Sequence, residues 1–333
     1  MPIASPYLLF LGDAADSLAA KTAAGIAYWR PQAALGQFRL PGCRADLGLP
    51  DLTPAEAAAA GARTMVIGVA NRGGILSDGW RLALLEALDH GLDLAAGLHQ
   101  RLDEIPELAA RAGMLRRRLF DVRQPDRPFA VATGAARPGR RCLTVGTDCS
   151  VGKMYTALAL ERELRTRGLA ADFRATGQTG ILICGAGVSV DAVVGDFISG
   201  ATEWLAPGND DGHWDLIEGQ GSLFHPSYAG VSLGLLHGAQ AHRLVMCTEP
   251  GRPHMRGLPG RPLPPLADCI ALNETCARLT NPAARVAGIS ANTSAMAPAE
   301  AERWLAETAD QLGLPAVDPL RQGVGALADA LLA

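Results

Sequence analysis

One short segment holds residues whose types and spacing could do chemistry: residues 146–153, GTDCSVGK, fit the pattern G-x-x-x-x-G-K. An apolar run from Cys142 to Val145 precedes it and predicts a buried strand, and a helical pattern follows from Tyr155. A glycine loop between a strand and a helix can turn successive backbone N–H groups toward a phosphate. Lys153 adds a compact positive charge in a chain that, apart from Lys21, uses only arginine as its long cation. The predicted phosphate-binding residues are Gly146, Thr147, Asp148, Cys149, Ser150, Val151, Gly152, Lys153 and Met154.

The position after Lys153 departs from the usual pattern. A Ser or Thr there normally supplies the hydroxyl that coordinates the magnesium ion of a bound nucleotide. Here the residue is Met154, whose thioether cannot replace that hydroxyl. Phosphate binding survives this change, whereas magnesium-dependent hydrolysis of a nucleoside triphosphate is disfavoured, so no metal site is predicted.

Two more residues could act as acids or bases. Residues 214–219 predict a short strand that ends on the carboxylate of Glu218, as in a Walker B element. In sheets of this kind such a carboxylate lies across from the phosphate loop, where it can orient a metal, a water or a substrate amine. His225 follows in a polar, glycine-rich loop, and an imidazole titrates near neutral pH. Glu218, His225 and Lys153 are therefore the catalytic candidates, with a structural role as the alternative for His225.

Polar residues in or near the loops that follow the predicted strands are the candidate substrate contacts. They are Arg174, Gln178, Thr179, Asp196, Gln220, Ser222, Arg252 and Asn292. Asp196 lies among apolar residues of a helix predicted over residues 190–205, and it either points inward at a ligand or forms a partly buried cap or ion pair. Arg252 and Arg256 lie in a proline-rich loop that is either a substrate loop for anionic groups or a plain surface excursion.

The first part of the chain alternates between predicted strands and helices, which indicates a parallel, Rossmann-like sheet. The strands are residues 7–12, 33–40, 63–70, 92–95 and 118–122, and the helices are residues 16–27, 77–90 and 105–112. The fingerprint G-x-G-x-x-G is missing after Gly12, so dinucleotide binding is only weakly supported. The loops Asn71–Gly74 and Gly97–Gln100 are candidate crevice linings, with a plain turn as the alternative for the second.

A segment rich in Pro, Gly and Arg, residues 126–140, predicts a linker between two domains, residues 1–125 and residues 141–333. Within the second domain, strands are also predicted at residues 171–175, 241–248, 284–289 and 314–318, helices at residues 298–312 and 324–332, and a tight polar loop at residues 176–180. The predicted fold class is α/β, with an N-terminal Rossmann-like parallel sheet domain and a C-terminal P-loop NTPase-like α/β domain.

Composition excludes several classes of partner. The chain has 333 residues, of which 48% are hydrophobic and 19% charged, and its net charge of -4 provides no basic field for nucleic acid. The patterns predict neither a signal peptide nor a membrane span. Seven cysteines without C-x-x-C spacing indicate reduced thiols, so we expect a cytoplasmic protein that acts on a small molecule.

The motifs together resemble those of a known family. GTDCSVGKM, ATGQTG and EGQGS are similar to dethiobiotin-synthetase-like members of the P-loop superfamily. GTDCSVGKM, VDAVVGDFISGATEW, IEGQGSLFHPSY and ISANTS resemble, more specifically, a two-domain family long catalogued as a domain of unknown function, and the similarity spans essentially the whole chain. That family has a Rossmann-like and a P-loop part, and its members include D-glutamate N-acetyltransferases. The resemblance therefore implies an acetyl-CoA-dependent amino-acid N-acetyltransferase, with D-glutamate as the first acceptor to test, that forms a homo-oligomer.

On this resemblance, the phosphate loop would bind the diphosphate and 3′-phosphate of coenzyme A without magnesium. Glu218 or His225 would take a proton from the substrate ammonium, and backbone N–H groups in residues 219–221 or 177–180 would polarise the thioester carbonyl. Cys149 as an acyl carrier is disfavoured, since phosphate occupies its loop. The side chains that would bind substrate carboxylates are Arg174, Arg252 and Arg256.

Two other functions fit the same scaffold. One is an ATP- and magnesium-dependent ligase or kinase of the dethiobiotin synthetase type, with Asp148 and Glu218 on the magnesium ion, against which Met154 counts. The other is a non-catalytic, nucleotide-binding regulator that binds phosphate-rich ligands without turnover. Acetyl-CoA is the expected co-substrate, and Mg-ATP is expected only under these alternatives.

Overall fold

The computed structural model describes residues 2–17, 19–69 and 76–333. The chain divides into two compact units: unit 1 comprises Met1–Asp126 and Gly177–Ala192, and unit 2 comprises Arg127–Thr176 and Val193–Ala333. Each unit is built on its own parallel sheet, so the predicted α/β class is confirmed. None of the described helices combines the length and the apolar character that crossing a lipid bilayer requires.

Unit 1 has a five-stranded sheet in the order β2-β1-β3-β4-β5, in which all neighbours are parallel. The strands are β1 (Tyr7–Gly12), β2 (Ala34–Arg39), β3 (Thr64–Ile67), β4 (Asp93–Ala96) and β5 (Leu119–Asp121). The helices are α1 (Lys21–Trp29), α2 (Pro54–Ala59), α3 (Asp78–Asp89), α4 (Pro106–Leu115) and α6 (Gln178–Cys184). β1 and β3 are buried along their whole length, as is typical of central strands in a parallel sheet.

Helix α6 corrects the prediction of a tight polar loop at residues 176–180. The helix begins at Gln178 and ends at Cys184, and the φ of 80° at its C-cap residue, Gly185, favours glycine. Its apolar part is buried, and Ile183 packs against α1 at Gly25, where a Cβ would lie 3.3 Å from the Cδ1 of Ile183. Sequence reasoning missed this helix because its polar first turn and flanking glycines match a loop, whereas packing on α1 supplies the stability that a short helix lacks alone.

Unit 2 has a six-stranded parallel sheet in the order β11-β10-β9-β6-β8-β7. The strands are β6 (Arg140–Gly146), β7 (Ala171–Arg174), β8 (Trp214–Ile217), β9 (Arg243–Thr248), β10 (Arg285–Ala291) and β11 (Ala316–Val317). The helices are α5 (Lys153–Thr166), α7 (Ile198–Leu205), α8 (Ala229–Ala239), α9 (Leu266–Arg278), α10 (Pro298–Leu312) and α11 (Gly325–Leu332). Because β6 lies between β8 and β9, the segments that follow these three strands meet at one edge of the sheet.

The helix predicted over residues 190–205 is correct only in its second half. Residues 190–192 and 195–197 form 3-10 turns, and α7 begins at Ile198. Sequence reasoning also missed α8, because its glycines are typical of loops. At Gly238 a Cβ would lie 2.2 Å from the backbone oxygen of Ser199, so this glycine lets α8 approach α7 closely.

Three other helices differ from the prediction. α1 begins at Lys21 and not at Asp16, whose carboxylate instead accepts a hydrogen bond from the backbone N–H of Ala19 at 2.8 Å. α2 and α9 were not predicted. α2 has a capping box of Thr53 and Glu56, a start signal that sequence reasoning overlooked.

A half-buried arginine, Arg137, joins the carbonyl ends of α7 and α8. Nη1 of Arg137 donates to the backbone oxygens of Glu203 and Ala206 at 2.9 and 2.6 Å, and Nη2 donates to that of Gly238 at 2.6 Å. The last carbonyls of a helix lack partners within it and carry its partial negative charge, so one guanidinium satisfies both helix ends. Burial and then the nearby Arg141 lower the pKa of Arg137 to about 10, which still leaves it charged at neutral pH.

Replacing Arg137 by methionine should destabilise the protein by about 2–4 kcal/mol, because several buried carbonyl groups lose their donor at once. The free energy of unfolding in urea measures this effect. The exposed Arg303→Met is the matched control and should change stability by less than about 0.5 kcal/mol. An Arg137→Met variant as stable as this control would contradict the role of the guanidinium.

Candidate functional site

The loop between β6 and α5 presents unpaired backbone N–H groups. β6 ends at Gly146 and α5 begins at Lys153, and the chain turns between them through Ser150 at φ 55° and Gly152 at φ 100°. Among the described residues, none accepts a hydrogen bond from the backbone N–H groups of residues 150–153. Together with the start of α5, these groups form a concavity suited to an anion.

The ammonium group of Lys153 lies inside this loop. Lys153 is buried, and its Nζ donates to the backbone oxygen of Asp148 at 2.7 Å. Burial lowers the pKa of Lys153, and the carboxylates of Asp148 and Glu218 are among the groups that oppose this shift. A bound phosphate would add negative charge and so favour the charged form of the lysine.

The carboxylate of Asp148 ties the phosphate loop to the loop after β9. Its Oδ1 accepts from the backbone N–H of Cys149 at 2.7 Å, and its Oδ2 accepts from Nη1 of Arg252 and from the backbone N–H of Arg256, both at 2.7 Å. Arg252 also donates to the backbone oxygens of Cys149 and Ser150, at 2.8 and 3.1 Å. The carbonyls of Cys149 and Ser150 belong to the same peptide groups as the N–H groups of Ser150 and Val151. The guanidinium of Arg252 therefore binds the carbonyl side of two peptide groups whose N–H sides have no acceptor among the described residues.

Glu218 follows β8 and is buried beside the phosphate loop. Its Oε2 accepts from the backbone N–H of Thr176 at 2.9 Å, and its backbone oxygen accepts from Oγ1 of Thr176 at 2.6 Å. At the next residue, Gly219, a Cβ would lie only 1.7 Å from the backbone oxygen of Thr144 on β6. Only glycine therefore allows the chain after β8 to pass this close to β6. The structure thus brings Glu218 and Lys153 to the same edge of the sheet.

His225 is buried, and both nitrogens of its ring contact backbone groups. Nδ1 accepts from the N–H of Ser227 at 3.2 Å, so Nε2 carries the proton and donates to the backbone oxygen of Arg256 at 3.1 Å. A general base needs a free lone pair, and these contacts leave none. These contacts argue against His225 as a general base and agree with the structural role that was its alternative.

The thiol of Cys149 lies within 4.8 Å of ligand atoms of both Asp148 and His225. Cys149 is half-buried, and burial raises the pKa of its thiol despite the nearby Lys153. A protonated thiol is a poor nucleophile, so this environment does not suit an acyl carrier.

Two of the three arginines expected to bind substrate carboxylates are already paired. Arg174 donates from Nε to Asp215 at 2.7 Å, and Arg252 is engaged with Asp148. These partners come from distant parts of the sequence, so no local spacing reveals them. Arg256 differs, since its side chain is exposed and makes no hydrogen bond or ion pair within the described ranges.

Three other expected substrate contacts support the loops of unit 2. Oγ of Ser222 donates to the backbone oxygen of Thr147 at 3.1 Å, and Nε2 of Gln220 donates to Oγ1 of Thr176 at 3.2 Å. Asn292 follows β10, and its side-chain oxygen accepts a hydrogen bond within its own turn. Ser222 and Gln220 thus brace the residues around Lys153 and Glu218.

The remaining expected contacts lie elsewhere. Gln178 and Thr179 belong to α6 and hence to unit 1. Asp196 lies in a 3-10 turn and is exposed, so the first of its two alternatives, a side chain that points inward at a ligand, is wrong. The loop Asn71–Gly74 lies outside the described residues.

Sequence reasoning missed two threonines that hold the site together. Oγ1 of Thr144 accepts from the backbone N–H of Gly219 at 2.9 Å, and Thr176 makes the two hydrogen bonds with Glu218 described above. A usable signal existed for both. Thr144 interrupts an apolar strand, and Thr176 comes just after another, at the end where ligands of parallel sheets bind.

A glycine loop with these features, at the end of a central strand of a parallel sheet, defines a P-loop α/β protein. The chain belongs to the DUF1611 family. Residues 130–328 match its P-loop domain (DUF1611_C) and residues 38–125 match its Rossmann-like domain (DUF1611_N), each described as a domain of unknown function. The predicted family is confirmed.

Two curated relatives match the chain over nearly its whole length. The D-glutamate N-acetyltransferase of Tritonibacter scottomollicae is 56% identical over 331 residues, which cover 99% of either protein. The D-glutamate N-acetyltransferase of a Pseudoalteromonas species is 47% identical over 327 residues, 98% of either protein. A crystal structure of a DUF1611 family protein from Anabaena variabilis matches with a TM-score of 0.83 and 33% identity, over 99% of both chains. The chain is accordingly an enzyme, an acyltransferase of the N-acetyltransferase kind.

We expect the Asp148–Arg252 pair to be coupled energetically. A double-mutant cycle of Asp148→Asn and Arg252→Met should give a coupling of about 1–3 kcal/mol in the free energy of unfolding, because either single change removes the ion pair and leaves the other charged group buried or half-buried without it. The exposed pair Arg101→Met and Asp103→Asn is the control and should couple by less than about 1 kcal/mol. Additive effects at the buried pair would show that it does not hold the loop.

Proposed function

We propose that the chain transfers the acetyl group of acetyl-CoA to the amino group of D-glutamate, with the phosphate loop binding the phosphates of coenzyme A. The choice of acceptor is supported by the names of the two relatives, which match the chain from end to end. One observation supports the role of the loop: the backbone N–H groups of residues 150–153 have no acceptor among the described residues, and the ammonium group of Lys153 lies beside them. A homo-oligomeric, cytoplasmic protein remains part of this proposal.

Two features favour coenzyme A over Mg-ATP as the ligand of the loop. Met154 stands at the start of α5, where a hydroxyl would coordinate magnesium. Asp148, which would bind magnesium in a ligase or kinase, already accepts three hydrogen bonds, one of them from Arg252. Phosphates can bind to backbone N–H groups and Lys153 without an ion between them.

The chemical step is the attack of the amino group on the thioester carbonyl. The ammonium of the acceptor first loses a proton to the carboxylate of Glu218, and the free amine then forms the new C–N bond. The C–S bond breaks as the tetrahedral intermediate collapses, and the thiolate of coenzyme A leaves and is protonated. The second amine proton is lost to water or base as the amide forms.

Stabilisation of the oxyanion requires donors that are not already used. The N–H of Gly219 donates to Thr144 and is not available, which removes it from the expected set. The N–H groups of Gln220 and Gly221 make no hydrogen bond within the described part of the chain and remain candidates. The exposed guanidinium of Arg256 is available for a phosphate or carboxylate of either substrate.

Lys153→Ala should weaken acetyl-CoA binding by about 10- to 100-fold, since a charge-assisted contact to phosphate is lost. Isothermal titration of acetyl-CoA, and separately of Mg-ATP, measures this. Lys21→Ala is the matched control, because Lys21 is the only other lysine and is exposed. Binding of Mg-ATP without binding of acetyl-CoA would reject the proposal in favour of a ligase, a kinase or a nucleotide-binding regulator.

Glu218→Gln should lower kcat by about 10²- to 10⁴-fold with little change in the Kd for acetyl-CoA, because the amide cannot accept the proton. Release of free thiol with D-glutamate as acceptor reports the rate. A variant that keeps the parental kcat would remove Glu218 from the mechanism.

A further inference from the structure

A cavity lies wholly within unit 1. It has a volume of about 110 Å³ and is lined by residues that follow β3, β4 and β5 and by residues of α1 and α6. The polar residues in its lining include Thr22, His99, Arg123, Gln178 and Thr179. One ordered water needs only about 10–15 Å³, so this cavity has room for a small organic molecule.

The position of the cavity is the one at which open parallel sheets bind ligands. Strand order β2-β1-β3-β4-β5 reverses direction between β1 and β3, and a crevice forms outside the carboxyl ends of the strands at that point. Thr22 comes from the helix after β1, and Ile67 is the last residue of β3. The cavity therefore lies at the topological switch point of the sheet.

Arg123 gives the cavity an unpaired positive charge. It follows β5 and is half-buried. Within residues 2–17, 19–69 and 76–333, it makes no side-chain hydrogen bond or ion pair. A guanidinium of this kind matches a carboxylate, which it can bind through two parallel hydrogen bonds.

Gln178 gives the cavity an unpaired acceptor. Its Oε1 is buried and finds no hydrogen-bond donor among the described residues. The side chain packs on Gly97 in the loop after β4, where a Cβ would lie 2.6 Å from this oxygen. A buried carbonyl oxygen without a donor is costly, so a ligand that brings an N–H group would satisfy it.

We propose that this cavity binds a free amino acid, with its carboxylate on Arg123 and its ammonium on Oε1 of Gln178. A simple anion would satisfy the arginine but leave the glutamine oxygen unpaired, whereas an amino acid supplies both partners. The inference rests on the proposed function only for the choice of D-glutamate as the probe.

The test is isothermal titration of the full chain with D-glutamate, alone and with coenzyme A present. Arg123→Gln should weaken D-glutamate binding by about 10- to 100-fold. Arg44→Gln, an exposed arginine of the same unit, is the matched control and should bind as the unchanged protein does. Thermal unfolding of each variant shows that the fold is kept.

Glutarate tests the second contact, because it has both carboxylates of D-glutamate but lacks the ammonium. The unchanged protein should prefer D-glutamate to glutarate, and Gln178→Met should lose most of that preference. Gly97→Ala, which displaces the Gln178 amide, should act in the same direction. A merely structural role for Gln178 would weaken both ligands equally.

Two results would overturn the inference: no binding of D-glutamate to the unchanged protein under either condition, or equal binding to Arg123→Gln and Arg44→Gln. Acetyl transfer by the unchanged protein is assayed separately. If the protein transfers acetyl groups but Arg123→Gln and Arg44→Gln bind D-glutamate equally, the cavity is rejected as an amino-acid site and the proposed function is kept. If Arg123→Gln alone weakens D-glutamate binding but the unchanged protein transfers no acetyl group, the proposed function is rejected and the amino-acid site is kept.

Discussion

The site of unit 2 depends on one constraint, that the peptide groups of the phosphate loop keep their N–H ends free. A peptide group has two polar ends, and in a folded protein both need partners. Here Arg252 takes the carbonyl ends at Cys149 and Ser150, and Asp148 in turn holds Arg252. A cation on the carbonyl side makes the N–H side more positive, since hydrogen bonds along one peptide polarise each other. Under the proposed function, the Asp148–Arg252 pair would therefore orient and polarise the loop for phosphate binding.

Hydrogen-bond partners also distinguish Glu218 from His225. Glu218 and His225 both lie close to the loop and both are buried. However, both nitrogens of the imidazole are hydrogen-bonded to backbone groups. Its role is to join the segment after β8 to the segment after β9 through the carbonyl of Arg256. Glu218 accepts a hydrogen bond from the backbone N–H of Thr176, a neutral donor, and its carboxylate favours the charged form of Lys153. Under the proposed function, geometry and not residue type distinguishes the two.

Segment Gly177–Ala192 belongs to unit 1, although the residues on both sides of it belong to unit 2. It follows β7 of unit 2 in sequence but belongs to unit 1, where α6 packs on α1. The segment supplies Gln178 and Thr179 to the cavity at the switch point of the first sheet. Part of the stretch that matches the family's P-loop domain therefore belongs to the Rossmann-like unit.

Much of this could be predicted from the sequence, because the signals are local. The loop at residues 146–153 and the strands around it follow from the spacing of glycines and apolar residues, and Glu218 follows from its place after β8. Helices α6 and α8 could not be recognised, since their glycines break the local pattern and only packing against α1 and α7 explains them. The state of the arginines was decided by tertiary structure alone. Arg174 and Arg252 are bound by carboxylates far away in sequence, whereas Arg123 and Arg256 find no such partner among the described residues. The sequence by itself determines which charged groups the chain carries and where they lie along it. Whether an arginine is paired with a carboxylate depends on the tertiary structure, because the carboxylates that pair with Arg174 and Arg252 are distant in sequence.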